Sequence, residues 1–163
     1  MAKPLIVCVD DQREVLQALE RDLQDFADAC ELITCESADE AWEELDHAAD
    51  HGQPGAVLLC DQVMPGSNGV DLMKRLRADS RFEHLRMALV TGQATHADTI
   101  EAINQAHLQG YIAKPWQQQE LVHLVSRLLT EHLVATGADT MAYGRLLDQD
   151  TLLAAMRKQG SDS

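Results

Sequence analysis

Positive charge is in short supply in this chain. Its 163 residues carry 13 Lys and Arg against 27 Asp and Glu, a formal net charge of -14. Such a field repels phosphate backbones and anionic lipid headgroups, which excludes a nucleic-acid-binding output module within these residues. Long apolar runs are missing as well. The opening MAKPLIVCVDD has about five apolar residues before two acids interrupt it, short of the roughly 7 to 15 of a signal-peptide core and the ~20 of a membrane span. A cytoplasmic protein that makes no membrane contact is expected. The four cysteines, Cys8, Cys30, Cys35 and Cys60, follow neither CxxC nor a Cys/His zinc spacing, so reduced, structural thiols are expected. His47 and His51 stand four apart but without an HExxH pattern, beside Asp46 and Asp50; they read as a solvated helix end.

What is present, 45% hydrophobic residues, suffices for one core, hence one domain with something appended. Short apolar runs alternate with helical periodicity five times over. LIVCV (5 to 9) precedes Val15, Leu16, Leu19, Leu23 and Phe26, spaced as one helix face. ELITC (31 to 35) precedes a helix with Ser37 and Glu40 in a capping-box pattern. AVLLC (56 to 60) reaches Asp61, a PGSNG loop and a short helix through Val70 and Leu76. RMALV (86 to 90) ends at Thr91, a fourth helix is expected from about His96 to Ala106, and a strand from Gly110 to Ala113 leads to a long helix from about Gln118. Strands separated by helical stretches imply crossovers, hence a doubly wound α/β domain with a five-stranded parallel sheet and helices on both faces.

In open parallel sheets ligands bind at the carboxyl ends of the strands, where strand order reverses. The unusual residues of this chain fall at those ends: Asp10 and Asp11 after the first strand, Asp61 after the third, Thr91 at the fourth and Lys114 after the fifth. Converging carboxylates repel one another unless a cation sits among them, and hard oxygen donors with room for water suit Mg2+. An ammonium and a hydroxyl at the same edge suit a tetrahedral anion. A phosphoryl group on or beside Asp61 is the simplest occupant.

With VDD (9 to 11), DQVMPGSNG (61 to 69), LVTG (89 to 92) and YIAKPW (111 to 116) in this order, the chain from about Leu5 to Leu129 resembles the receiver domain of bacterial two-component response regulators, of the CheY-like superfamily. The resemblance implies a flavodoxin-like fold. It implies that Asp61 accepts a phosphoryl group from a sensor histidine kinase or phosphotransfer protein in a phosphorelay. Asp10, Asp11, Asp61 and the backbone carbonyl of Val63 would hold Mg2+. Lys114 and Thr91 would contact the phosphoryl group, with Thr91 and Tyr111 as switch residues and a cis bond before Pro115. Such a domain is not a turnover enzyme; it catalyses its own Mg2+-dependent phosphorylation and dephosphorylation. It would signal through altered contacts with a downstream protein or output domain over the region His96 to Thr130. Two other readings are a Mg2+-dependent phosphatase with an aspartate nucleophile and a degenerate receiver that only binds partners. The first pairs its nucleophile with an acid two residues on, where this chain has Val63; the intact set of five residues weighs against the second.

Residues 1–130 therefore read as the receiver and residues 131–163 as a helical extension or the start of a truncated output region. The apolar stripe of the last receiver helix continues through Leu133 and Val134, predicting an exposed apolar edge. After the ATGAD break, Met141, Tyr143, Leu146, Leu147, Leu152, Leu153 and Met156 recur at helical steps, with Asp148 or Asp150 as a cap. Such a piece cannot make a core alone. It folds back on the receiver, forms a homodimer through the C-terminal helices, or begins an output domain.

Overall fold

The computed structural model of the chain describes residues 2–92, 101, 104 and 106–161. Five strands, β1 (Leu5–Val9), β2 (Glu31–Cys35), β3 (Gly55–Cys60), β4 (Arg86–Thr91) and β5 (Gly110–Ala113), form one sheet in the order β2-β1-β3-β4-β5. Every pairing in it is parallel, the flavodoxin-like arrangement. The helices are α1 (Arg13–Asp22), α2 (Ala38–Asp50), α3 (Gly69–Arg77), α4 (Gln118–Thr136) and α5 (Gln149–Ser161). Of the helix expected from about His96 to Ala106, Glu101, Asn104 and Ala106 are helical, and its other positions lie outside the described residues.

The inner strands β1, β3 and β4 are almost continuously apolar because the sheet is buried on both faces there, whereas the edge strands β2 and β5 are partly exposed. Alternate side chains feed two cores. Leu5, Val7, Val9, Leu58, Cys60, Met87 and Leu89 pack with α2 and α3. Ile6, Cys8, Val57, Leu59, Ala88, Val90 and Ile112 pack with α1 and α4. All four cysteines are free and buried, and burial pushes the Cys8 and Cys35 thiols up to about 12 and Cys30 up to about 11.

Three local features differ from the sequence reading. Leu23 and Phe26 are buried, as their spacing predicts, but α1 ends at Asp22 and Gln24–Phe26 form a 3₁₀ turn. Ser37 caps α2 by accepting from Glu40 N–H at 3.1 Å, whereas the Glu40 carboxylate accepts from Glu36 N–H at 3.0 Å rather than from the cap residue itself. The apolar edge expected beyond Leu129 is covered: Leu133 is buried, because the extension folds back along α4.

That fold-back has a specific anchor. Gly137, in the left-handed conformation at φ 72°, ends α4. Ala138, Tyr143, Leu146 and Leu152 then pack against the α1–α4 core, and Leu147 is buried in it. The Asp148 backbone N–H donates to Thr130 Oγ1 at 2.9 Å, and the Thr130 hydroxyl donates in turn to Ser126 O at 2.6 Å. The Asp148 carboxylate caps α5 by accepting from the N–H of Thr151 at 3.2 Å and from its hydroxyl. Asp148→Ala removes this cap, at about 1 kcal/mol. The expected outcome is faster proteolysis within residues 137–161 while cleavage of the receiver core is unchanged.

Candidate functional site

Continuation of the strand ladders by one step sets the site's backbone. Asp10 N–H donates to Cys35 O at 3.1 Å, Asp61 N–H to Val9 O at 3.0 Å, and Lys114 N–H to Thr91 O at 3.2 Å. Each residue is thus tied to the last residue of a neighbouring strand. β1 lies between β2 and β3, so the chain reverses direction across the sheet at the crevice where Asp10 and Asp61 stand.

The side chains converge there. Carboxylate oxygens of Asp10, Asp11 and Asp61 lie within 4.8 Å of one another; Asp10 and Asp61 are buried and Asp11 is exposed. Asp10 Oδ1 accepts from Gln12 N–H at 2.9 Å, which leaves Oδ2 to accept from Lys114 Nζ at 2.7 Å. The same ammonium is 3.7 Å from Asp61 Oδ2. Lys114–Pro115 is cis. Thr91 is buried at the end of β4, its backbone paired with Ala113. Tyr111, paired with Leu89, is 42% exposed on the edge strand β5.

The loop after Asp61 is more ordered than PGSNG suggests. Val63–Met64 and Ser67–Asn68 form a two-residue antiparallel ladder in which Val63 pairs with Asn68. Gly69 N–H donates to Gln62 O at 2.9 Å, and Asn68 Oδ1 caps α3 by accepting from Val70 N–H at 2.8 Å. Gly69 itself is a site residue that the sequence reading passed over. A Cβ there would stand 2.0 Å from the Asp61 carbonyl oxygen and 2.9 Å from Cys60 Sγ. Only glycine lets α3 start this close to the end of β3.

The charges do not balance: three carboxylates face one ammonium. Burial raises the Asp61 carboxyl above the usual carboxylate range, Lys114 and the Gln62 N–H pull it down, and Asp10 and Asp11 push it up. A hard divalent cation fits this donor set, since it would relieve the repulsion that one lysine leaves. Because the folded protein favours neutral Asp61, ionising this group opposes folding: its own contribution to stability is fully present below the ordinary value of 3.8 and is lost as pH rises through the elevated one. Metal-free Asp61→Asn is therefore expected to melt above wild type at pH 7, with the gain shrinking as pH falls towards about 4. Thermal melts in EDTA across that range measure it.

Among the described residues no helix is long and apolar enough to cross a membrane. The family model for the response regulator receiver domain matches residues 6–126. The chemotaxis protein CheY of Pseudomonas aeruginosa is 34% identical over 126 residues, covering 76% of this chain and 94% of that one. The hydrogenase transcriptional regulatory protein HoxA of Cupriavidus necator is 34% identical over 120 residues, 74% of this chain, which spans only 23% of that regulator's length. A solved response regulator from Chloroflexus aurantiacus superposes with a TM-score of 0.66 at 29% identity, covering 78% of this chain and 98% of its own. The signal receiver domain of an HD domain-containing protein from Pseudomonas fluorescens, at 23% identity, shares the fold with a TM-score of 0.72 over 84% of this chain and 94% of that one. A parallel sheet whose carboxyl edge gathers these acids and this lysine, matched over most of its length by one family, leads to one conclusion: the chain belongs to the response regulator receiver domain family.

Proposed function

We propose that this receiver is a Mg2+-dependent phospho-acceptor and that Asp61 is the residue modified. The observation that carries the reading is the position of Lys114 Nζ, 2.7 Å from Asp10 and 3.7 Å from Asp61, beside three carboxylates close enough to share one ion. Asp10, Asp11, Asp61 and the Val63 carbonyl would hold Mg2+, which when bound neutralises charge on the transferring phosphoryl oxygens. The Asp61 carboxylate attacks phosphorus of a phosphohistidine on a sensor kinase or phosphotransfer protein. The P–N bond breaks as the P–O bond forms, and the imidazole departs neutral when its second nitrogen carries a proton. Lys114 balances the growing charge on the phosphoryl oxygens, and the Thr91 hydroxyl donates to one of them. The product replaces the carboxylate's single negative charge with about -1.5 to -2 on the phosphoryl group, a net gain of roughly one negative charge at most, beside Thr91, which Tyr111 follows, biasing the surface from residue 96 to residue 130 towards a downstream protein or output domain. Cytoplasmic location accords with this role.

A phosphatase would need a proton donor two residues after its nucleophile, and Val63 supplies none. The discriminating experiment is incubation with acetyl phosphate and Mg2+, read by intact mass. One phosphoryl group is expected on wild type, and none on Asp61→Asn or in EDTA. Equal labelling of the two proteins overturns the assignment, and sustained hydrolysis of varied phosphomonoesters favours the phosphatase.

A further inference from the structure

Asp22 ends α1, where the partial negative charge of the helix terminus disfavours a carboxylate. It is nonetheless largely covered, its side chain 13% exposed. Asp22 Oδ2 accepts from Trp116 Nε1–H at 2.9 Å, and Gln118 Nε2 lies 3.5 Å from the Asp22 carbonyl oxygen. A side chain from the connection between β5 and α4 and the first side chain of α4 therefore converge on the last residue of α1. The nearby Arg21 guanidinium, 3.4 Å from Asp22 Oδ1, is 73% exposed, so it screens this carboxylate only weakly.

The connection that Trp116 anchors also carries Lys114, and its backbone is thinly held. Lys114 N–H bonds Thr91 O, Pro115 has no N–H to give, and among the described residues the next backbone hydrogen bond along the chain is Leu121 N–H to Gln117 O at 3.1 Å. Gln117, the residue preceding α4, makes no side-chain cap. A lysine on a flexible four-carbon stem depends on its backbone to aim a point charge. Here the strand ladder fixes that backbone on one side, and the indole bond fixes it on the other.

We propose that Asp22 and Trp116 are positioning residues for phosphoryl binding: their hydrogen bond, from the end of α1 to the β5–α4 connection, holds Lys114 where its ammonium reaches the phosphoryl group on Asp61. This rests on Asp61 as the acceptor and Lys114 as its electrostatic partner. The bond has no direct claim on Mg2+, whose ligands come from the ends of β1 and β3. Phosphoryl affinity and metal affinity therefore separate when it is cut.

The test uses the full chain and calorimetric titration, first with Mg2+ alone and then with beryllofluoride at saturating Mg2+. Asp22→Leu and Trp116→Phe are each expected to weaken beryllofluoride binding about tenfold, as for loss of one hydrogen bond to a charged group, and to leave Mg2+ affinity within about twofold. Asp22→Asn, whose amide oxygen still accepts from the indole, is expected to restore wild-type affinity. In a Lys114→Met background Asp22→Leu is expected to cause no further loss, because both act through one ammonium. Unchanged beryllofluoride affinity in both Asp22→Leu and Trp116→Phe overturns the proposal, as does an equal loss of Mg2+ affinity or full additivity with Lys114→Met. Wild type that binds no beryllofluoride, or Asp61→Asn that binds it equally, overturns the phospho-acceptor reading and this proposal with it.

Discussion

Lys114→Met is expected to slow the proposed labelling of Asp61 by acetyl phosphate by about 10²- to 10³-fold, the range for removing one preorganised donor from a site of developing negative charge. Among the described residues Lys114 is the only ammonium or guanidinium within ion-pair reach of both Asp10, at 2.7 Å, and Asp61, at 3.7 Å. Its loss also frees Asp61 to bind protons more strongly, because the lysine is the largest influence holding that carboxyl down against burial. Two signatures separate this from a folding defect. Mg2+ binding should tighten at pH 7, since a competing cation has left three acids behind, and the rate should recover partly as pH rises through the elevated Asp61 titration. Lys114→Arg should rescue poorly, because a planar fork replaces a point charge aimed at two carboxylates. Initial rates with acetyl phosphate and Mg2+ titrations across pH measure all three. Equal rates in wild type and Lys114→Met would show that the ammonium has no part in transfer.

Much of this arrangement is legible in the sequence, and for a physical reason. A parallel strand buried on both faces writes itself as a continuous apolar run, so LIVCV, AVLLC and RMALV locate β1, β3 and β4 to within a residue. Once the strands are placed, fold topology puts their carboxyl-terminal residues at one edge, and Asp10, Asp61, Thr91 and Lys114 are brought to it. The misses lie where local pattern carries no information. Apolar steps of three and four serve a helix and a helix followed by a 3₁₀ turn equally, which is why Leu23 and Phe26 give no sign of the break after Asp22. Two-residue strands have no periodicity, so the ladder of Val63–Met64 with Ser67–Asn68 leaves no trace in the pattern. The Asp22–Trp116 bond joins residues 94 apart in the chain, and neither residue announces the other. The extension has three fates open in sequence. In the structure the extension lies back on the receiver, with Leu147 buried in the α1–α4 core and Asp148 N–H donating to the buried Thr130 hydroxyl, a contact between residues 18 apart that local pattern does not display.

Gly69→Ala is expected to damage the site more than its size suggests, and through the backbone. The new methyl would lie 2.0 Å from the Asp61 carbonyl oxygen, 2.9 Å from Cys60 Sγ and 3.1 Å from the Asp61 carbonyl carbon. Two of these neighbours are main-chain atoms of Asp61 itself, so no side-chain rotation relieves the contact. Either the start of α3 withdraws, breaking the Gly69 N–H bond to Gln62 O and the Asn68 cap, or Asp61 moves away from Asp10 and Lys114. Overpacking at a site with so little room costs about 3 kcal/mol, the upper end of its usual range, equivalent to a fall in Tm of roughly 10 °C for a chain of this length. Thermal melts should show that fall. At a temperature where the variant is still folded, the rate of Asp61 labelling should drop by more than about tenfold, because an error of about 1 Å in a positioned group can cost as much as 10²-fold. Gly52, in a turn with open space around its missing Cβ, is the control: Gly52→Ala strains a backbone at φ 74° and is expected to lower stability, yet to leave the labelling rate of the folded protein unchanged. If Gly69→Ala behaves like Gly52→Ala, the close approach of α3 does not fix the acceptor.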